Sequence, residues 1–190
     1  MFYYVVRGIA NFILRIFFKI EVTGKENVPA EGRFVLCANH ASNWDPVFIS
    51  IAFPRKISWM AKKELFKSKV LAYLLKKLGA FPVDRDGSDI SAIKNALRVL
   101  KGDNILGIFP EGTRVSGFDI ENAKSGVALL ATKSKSLIIP VNIDSSYKLF
   151  NKVKITIGKP SDFLSIDGHA NDYKEISVNI LRTIYDLKRV

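Results

Sequence analysis

Short apolar runs alternate along the chain with segments in which apolar residues recur every three or four positions. The runs are typical of buried strands, and the wider spacing is typical of helices that pack on a sheet. The predicted strands cover residues 33–38, 57–61, 81–83, 104–109, 137–143 and 152–157. The predicted helices cover residues 46–53, 68–78, 88–101, 125–134 and about 176–187. This alternation predicts one two-layer α/β domain with a mostly parallel sheet over residues 21–190.

The first twenty residues are predicted to form an amphipathic helix that faces a membrane. Polar and basic side chains recur every four residues, at Arg7, Asn11, Arg15 and Lys19, and this spacing confines them to roughly 120° of the helix circumference. A helix that spanned a bilayer would carry a central arginine at a cost of about +2.5 to +3.5 kcal/mol. A helix lying in the interface keeps these cations among the lipid headgroups. A spanning helix and a helix packed in the protein core remain the alternatives.

The charge of the chain favours anionic partners. The net charge is +11 and the sequence pI is about 9.7, which suits nucleic acid, anionic lipid or a phosphorylated substrate. The 13 phenylalanines and the apolar N-terminal segment favour lipid, so no nucleic-acid partner is expected. The single cysteine, Cys37, excludes an intramolecular disulfide. With two histidines and one cysteine in the chain, no metal site is predicted.

A histidine and a carboxylate five positions apart are the first candidate for chemistry. His40 and Asp45 directly follow a predicted buried strand, and the carboxyl edge of a parallel sheet is where ligands usually bind. A turn after His40 would bring Asp45 back to the imidazole ring, fix its tautomer and leave the other ring nitrogen as a general base. A histidine that only caps its own loop is the alternative interpretation.

A second candidate follows the predicted strand over residues 104–109. Pro110 and Gly112 predict a tight turn, which brings backbone N–H groups to the surface beside Arg114. Such a turn is suited to an anion. Glu111 would then orient Arg114 or hydrogen-bond an acceptor hydroxyl. A solvated turn with a surface ion pair is the alternative.

Taken in order, four segments resemble the motifs of the glycerolipid acyltransferases, and among these the bacterial 1-acylglycerol-3-phosphate acyltransferases. The segments cover residues 39–45, 79–85, 109–114 and 138–141, and the resemblance extends from about Val22 to Pro160. It implies that His40 is the catalytic base and that Asp45 orients it. The residues implied to bind the substrate phosphate are Lys62, Arg85, Arg114 and Lys124. Those implied to orient the acceptor are Glu111, Gly112 and Thr113.

The resemblance also implies a reaction. A fatty acyl group would pass from a thioester of acyl carrier protein or coenzyme A to the sn-2 hydroxyl of 1-acylglycerol 3-phosphate, giving phosphatidic acid without a metal or other cofactor. Because the acceptor is a membrane lipid, the expected location is the cytoplasmic face of the cell membrane, as a peripheral or monotopic protein. The alternatives are acylation of glycerol 3-phosphate or another lysophospholipid, and a basic lipid- or nucleic-acid-binding protein without activity. The presence of His40, Asp45, Glu111 and Arg114 disfavours the last.

Overall fold

Seven strands form one sheet in the computed structural model, which describes residues 1–84, 89–163 and 172–189. The strands are β1 (Lys19–Thr23), β2 (Phe34–Ala38), β3 (Ile57–Lys62), β4 (Phe81–Val83), β5 (Ile105–Ile108), β6 (Leu137–Ser145) and β7 (Lys152–Ile157). Their order across the sheet is β1-β7-β6-β2-β5-β3-β4. Among these strands every pairing is parallel except that of β6 with β7. The predicted α/β class and mostly parallel sheet are confirmed.

Within the described ranges, six α-helices pack around this sheet. They are α1 (Phe2–Phe17), α2 (Asp45–Ala52), α3 (Lys69–Lys77), α4 (Ile90–Lys101), α5 (Gly126–Ser134) and α6 (Tyr173–Asp186). Side chains cap several of them, since Ser68, Asp89 and Asp172 each accept a hydrogen bond from the first turn of α3, α4 and α6. The strands therefore alternate with helices as the hydrophobic spacing predicts.

Apolar side chains cover both faces of the sheet, so the fold has three layers rather than the two predicted. Phe34 and Leu36 of β2 belong to one core cluster with residues of α1 and α2. Val35 and Cys37, which alternate with them, belong to a second cluster with residues of α4, α5 and α6. A parallel strand that is apolar on both faces needs a helical layer on each. We refer to these as the α1–α2 side and the α4–α6 side.

The parallel strands bring several loops to one edge of the sheet. Strands β2, β3, β4, β5 and β6 run in the same direction, so the loops that follow them meet at the carboxyl edge. The His40 loop follows β2, Lys62 ends β3, and the turn from Phe109 to Arg114 follows β5. The fold therefore brings the candidate residues to the edge where α/β proteins bind ligands.

The N-terminal helix ends three residues earlier than predicted. Helix α1 ends at Phe17, and Phe18 has extended backbone angles. Lys19–Thr23 forms β1, which pairs in parallel with β7 and which the hydrophobic pattern did not predict. Lys19 therefore lies on a strand and does not belong to the polar stripe of the helix, which corrects the boundary of residues 1–20 predicted for it.

Helix α1 packs on the domain with Arg7 of the polar stripe facing inward and Arg15 exposed. Tyr3 and Leu14 are buried, and the Arg7 guanidinium donates to the backbone oxygens of Phe53 and Pro54 at 2.6 and 2.9 Å, where α2 ends. The opposite face is apolar and exposed, with Ile9 at 56% and Phe12 at 69%. In the part of the chain that the structure describes, no helix has both the length and the apolar character to cross a membrane.

Candidate active site

The His40 ring and the Asp45 carboxylate form a hydrogen-bonded pair. His40 Nδ1 lies 2.9 Å from Asp45 Oδ2, and both residues are buried. The backbone N–H groups of Ala41 and Ser42 also donate to Oδ2, each at 2.8 Å. A carboxylate oxygen that accepts these bonds needs a donor from the ring, so Nδ1 carries the hydrogen and Nε2 is left as the basic nitrogen. The predicted spacing thus closes into a compact turn at the start of α2.

Tyr147 satisfies the other oxygen of the same carboxylate. This residue follows β6, and its hydroxyl donates to Asp45 Oδ1. Burial, together with the hydrogen bond to Asp45, raises the pKa of Tyr147 above its usual value, so the phenol stays neutral and acts as a donor. Asp45 is therefore held from both sides and cannot rotate away from the ring of His40.

An aromatic stack fixes the plane of the imidazole. The His40 ring lies on Phe109 with centroids 4.0 Å apart, and Phe109 lies on Trp59 with centroids 4.9 Å apart. Gly107 makes room for this stack, because a Cβ atom there would stand 2.6 Å from the Trp59 ring. The rings thus come from β3 and from the loops that follow β2 and β5.

The backbone of the His40 loop is anchored to two other segments. Asn39 makes a double hydrogen bond with the backbone of Ile143 in β6, at 2.9 and 2.8 Å. The His40 N–H donates to Glu111 Oε2 at 2.7 Å, and the His40 carbonyl accepts from Val115 N–H at 2.8 Å. The last two bonds use main-chain atoms of His40, so the backbone position of His40 is set independently of its side-chain contact with Asp45.

Glu111 holds this loop, and its predicted role in orienting the acceptor stays a prediction. It is only 1% exposed, and its second oxygen, Oε1, accepts from the Tyr185 hydroxyl of α6 at 2.7 Å. Both carboxylate oxygens are thus hydrogen-bonded inside the protein. Burial raises the pKa of Glu111 to about 7, against the opposing effect of the hydrogen bonds from Tyr185 and His40.

We expect the Glu111→Gln variant to gain stability relative to the wild-type protein as the pH rises from 5 to 8. The folded pKa is about 7 and the ordinary value is 4.5, so between them the folded chain holds a proton that the unfolded chain has released. The free energy of unfolding of the wild-type protein therefore falls with pH over this interval and levels off above it. At about 1.4 kcal/mol per pKa unit, the fall in the free energy of unfolding of the wild-type protein amounts to a few kcal/mol.

Glutamine keeps both contacts, since its oxygen accepts from His40 N–H and its amide group donates to the Tyr185 oxygen. Urea unfolding followed by tryptophan fluorescence at pH 5, 6, 7 and 8 measures the difference, with Glu31→Gln at an exposed position as the matched control. A constant stability difference between Glu111→Gln and the wild-type protein would contradict the proton bound at Glu111.

Three of the four predicted phosphate-binding cations lie at the carboxyl edge, and they differ in their surroundings. Arg114 is exposed and directly precedes Val115, whose N–H is bound to His40. Lys124 is exposed, and its backbone N–H donates to Pro110 O at 2.9 Å, so its chain runs beside the same turn. Lys62 Nζ lies 3.8 Å from Glu64 Oε2 with half of its side chain exposed. Arg85 lies outside the described residues.

The two small residues of the turn play different parts. Gly112 has a φ of 68°, which favours glycine, and its N–H donates to Phe109 O at 3.0 Å. A Cβ atom at this position would stand 3.3 Å from Lys124 Cγ. Gly112 thus closes the turn and lets Lys124 pass. Thr113 is exposed beside Arg114, where its hydroxyl is available to a ligand.

The sequence interpretation missed four further residues of the site. Phe109 and Tyr147 contact the His40–Asp45 pair, and Asn39 and Tyr185 hold the surrounding loop. Asn39 and Phe109 stand inside the quoted motifs, so their position was a usable signal. Tyr147 and Tyr185 lie far along the chain, and no local pattern marks them. Among the described residues, no group of three or more His, Cys, Asp or Glu could hold a metal ion.

The chain is similar to known acyltransferases in sequence. A family model described as Acyltransferase matches residues 19–144. A 1-acyl-sn-glycerol-3-phosphate acyltransferase of Bacillus subtilis is 39% identical, over 74% of this chain and 73% of that protein. The protein of the same name from Streptococcus pneumoniae is 32% identical, over 96% of this chain and 71% of that protein.

A solved structure shares the fold. The crystal structure of the 1-acyl-sn-glycerophosphate (LPA) acyltransferase PlsC from Thermotoga maritima superimposes with a TM-score of 0.75 and 26% sequence identity. The match covers 98% of this chain and 81% of that one. The similarity therefore includes the N-terminal helix, the sheet and the loops of the candidate site.

Proposed function

The chain belongs to the acyltransferase family, and we propose that its site transfers a fatty acyl group from a thioester to the sn-2 hydroxyl of 1-acylglycerol 3-phosphate, giving phosphatidic acid for phospholipid synthesis. The observation that carries this proposal is the buried His40–Asp45 pair at the carboxyl edge of the sheet, beside an exposed arginine. The similarity to relatives named 1-acyl-sn-glycerol-3-phosphate acyltransferase supports the acceptor.

The geometry suits a general base that acts on the hydroxyl of the acceptor. As the hydroxyl oxygen attacks the thioester carbonyl carbon, His40 Nε2 takes its proton, and Asp45 stabilises the imidazolium that forms. The tetrahedral intermediate then loses the thiolate as the C–S bond breaks, and the imidazolium returns the proton to the sulfur. The rigid stack of His40 on Phe109 keeps Nε2 in one direction throughout.

The exposed cations of the carboxyl edge are proposed to bind the acceptor phosphate. Arg114 offers a planar pair of donors, which matches phosphate oxygens, whereas Lys62 and Lys124 offer point charges. Arg85 completes the proposed set from the sequence resemblance. Both oxygens of Glu111 are hydrogen-bonded by neutral donors within the protein.

The acyl donor is proposed to be a thioester of acyl carrier protein or coenzyme A. A thiol leaves readily from the tetrahedral intermediate, and the acceptor supplies the attacking oxygen, so this chemistry uses no serine or cysteine nucleophile and no cofactor. Both donors are phosphorylated, and the net charge of +11 suits them.

We also propose that the protein works at the cytoplasmic face of the cell membrane. The outward face of α1 carries exposed Ile9, Phe12 and Ile16, and Trp44 beside the site is 55% exposed. Apolar and aromatic side chains on a helix with nearby cations are typical of an interfacial membrane contact. The lipid acceptor would then reach His40 without leaving the bilayer surface.

An assay with purified protein tests the proposed reaction. Acyl coenzyme A or acyl carrier protein is offered with a panel of acceptors, namely 1-acylglycerol 3-phosphate, glycerol 3-phosphate and lysophosphatidylcholine. Release of free thiol that depends on 1-acylglycerol 3-phosphate, with phosphatidic acid as the product, supports the proposal. Transfer to glycerol 3-phosphate alone would favour the other acceptor, and thiol release with no acceptor dependence would contradict both.

Replacing Arg114 with alanine is expected to weaken acceptor binding selectively. A charge-assisted contact with phosphate contributes about 1.5–3 kcal/mol, which corresponds to a loss of about 10- to 150-fold in kcat/KM. The loss should be small with an acceptor that lacks phosphate, because the His40–Asp45 pair does not contact Arg114. Steady-state kinetics on both acceptors measures the effect, with Arg33→Ala at the amino end of β2 as an exposed control. Equal losses on both acceptors would contradict phosphate binding by Arg114.

A further inference from the structure

Helix α3 is the least buried helix of the α1–α2 side. None of its nine residues is buried, and Val70 and Tyr73 are 81% and 64% exposed. The apolar side chains of Leu71 and Leu74 are also exposed. A helix with this many exposed apolar groups has an outer surface that the rest of the domain does not cover.

The same helix is strongly basic. Between Leu65 and Val83 the sequence contains Lys67, Lys69, Lys76 and Lys77 and no acidic residue. Lys77 Nζ lies 5.5 Å from the centre of the Tyr73 ring, so the cation and the aromatic face share one surface. Among the described residues, no carboxylate forms an ion pair with any of these four lysines.

The position of α3 brings this surface next to α1. Gly79, just after α3, approaches Lys56 so closely that a Cβ atom there would stand 2.6 Å from Lys56 Cε. Lys56 Nζ in turn lies 5.7 Å from the ring of Tyr3 in α1, and Ala80 packs against the core cluster that contains α1 and α2. Helix α3 therefore ends near the start of α1, on the same side of the sheet.

We propose that α3 is a second membrane-docking surface, which binds anionic lipid headgroups through its lysines and seats Val70 and Tyr73 at the interface. Charge complementarity selects an anionic bilayer, because the surface is purely cationic, and the exposed apolar groups favour lipid over a polar protein partner. Two contacts, α1 and α3, would fix the tilt of the domain on the bilayer, which one helix alone would leave free. This inference goes beyond acyl transfer and does not depend on it.

Vesicle titration of the full chain tests whether the lysines of α3 bind anionic lipid. The triple variant Lys69→Gln, Lys76→Gln, Lys77→Gln is expected to bind vesicles rich in phosphatidylglycerol about a hundredfold more weakly, at roughly fivefold per cation. The loss should shrink at high salt and on phosphatidylcholine vesicles. The matched control replaces Lys94, Lys101 and Lys133, which are exposed on the α4–α6 side, and should retain binding. Equal partition coefficients for both triple variants would overturn the proposal.

A site-specific probe separates α3 from α1. The native Cys37 is buried, so a polarity-sensitive dye attaches to an introduced thiol. The fluorescence emission of dye attached at Val70→Cys should shift to shorter wavelength on phosphatidylglycerol vesicles. The emission of dye attached at Lys94→Cys should not. An unshifted Val70 probe, or a lysine variant that loses acyl carrier protein binding while vesicle binding is unchanged, would overturn the proposal in favour of a protein partner. Turnover of a short-chain, soluble acceptor should be unaltered, so failure here leaves the proposed reaction intact.

Discussion

Replacing His40 with alanine is expected to reduce acyl transfer by about 10²–10⁴-fold, the usual contribution of a general base. The ring supplies the proton acceptor, since Nδ1 is occupied by Asp45 and Nε2 is left as the basic nitrogen. The fold should persist, because the loop is anchored through the Asn39 side chain and through main-chain bonds of His40 to Glu111 and Val115. Thiol release from acyl coenzyme A in the presence of 1-acylglycerol 3-phosphate measures the loss.

Two variants of neighbouring residues give expected losses with which the His40→Ala result can be compared. Asp45→Asn keeps an oxygen for the N–H groups of Ala41 and Ser42 but removes the charge that stabilises the imidazolium, so a loss of similar size is expected. Tyr147→Phe removes one hydrogen bond of about 1 kcal/mol to the same carboxylate and should cost roughly fivefold. If His40→Ala were folded, as judged by circular dichroism and urea unfolding, and still turned over at the wild-type rate, the base assignment would be wrong.

The pair was predictable because it is local. The histidine follows a buried strand, the carboxylate stands five positions later, and a proline lies at the start of the next helix. These neighbouring residues determine the geometry of the turn by themselves. The contacts that hold the pair are not local: Tyr147 and Tyr185 reach Asp45 and Glu111 from β6 and α6. Which tyrosine meets which carboxylate depends on how the sheet assembles, and the spacing of residues along one element carries no information about that.

Periodicity also predicted the faces of α1 but not their orientation. The polar stripe was expected to meet headgroups, yet Arg7 turns inward to the free carbonyls at the end of α2. Those carbonyls lack partners within their own helix and attract a cation, which is a tertiary feature. Strand β1 was missed for a related reason: it is a five-residue edge strand whose existence depends on pairing with β7, near the other end of the chain.

Because the apolar face of α1 points outward, the decisive membrane variant changes apolar residues rather than the arginines. Replacing Ile9, Phe12 and Ile16 with serine is expected to lower the vesicle partition coefficient more than a hundredfold. Full burial of such side chains contributes about 1.5–3 kcal/mol each. Even at about 1 kcal/mol each in a shallow interface, three losses total about 3 kcal/mol. The inward contacts of Tyr3, Arg7 and Leu14 are untouched, so the fold should be retained.

Vesicle flotation measures this partition, and the matched control replaces three exposed apolar residues away from α1, namely Ile90, Ile120 and Leu137, with serine. The α1 variant should lose activity on acceptor carried in a bilayer and keep it on a short-chain, monomeric acceptor, since the catalytic loop follows β2 and not α1. Hydrophobic partition is not weakened by salt, whereas binding through the lysines of α3 is screened by it. Unchanged flotation of the α1 variant at high salt would therefore show that this helix does not contact lipid, whatever α3 contributes at low salt.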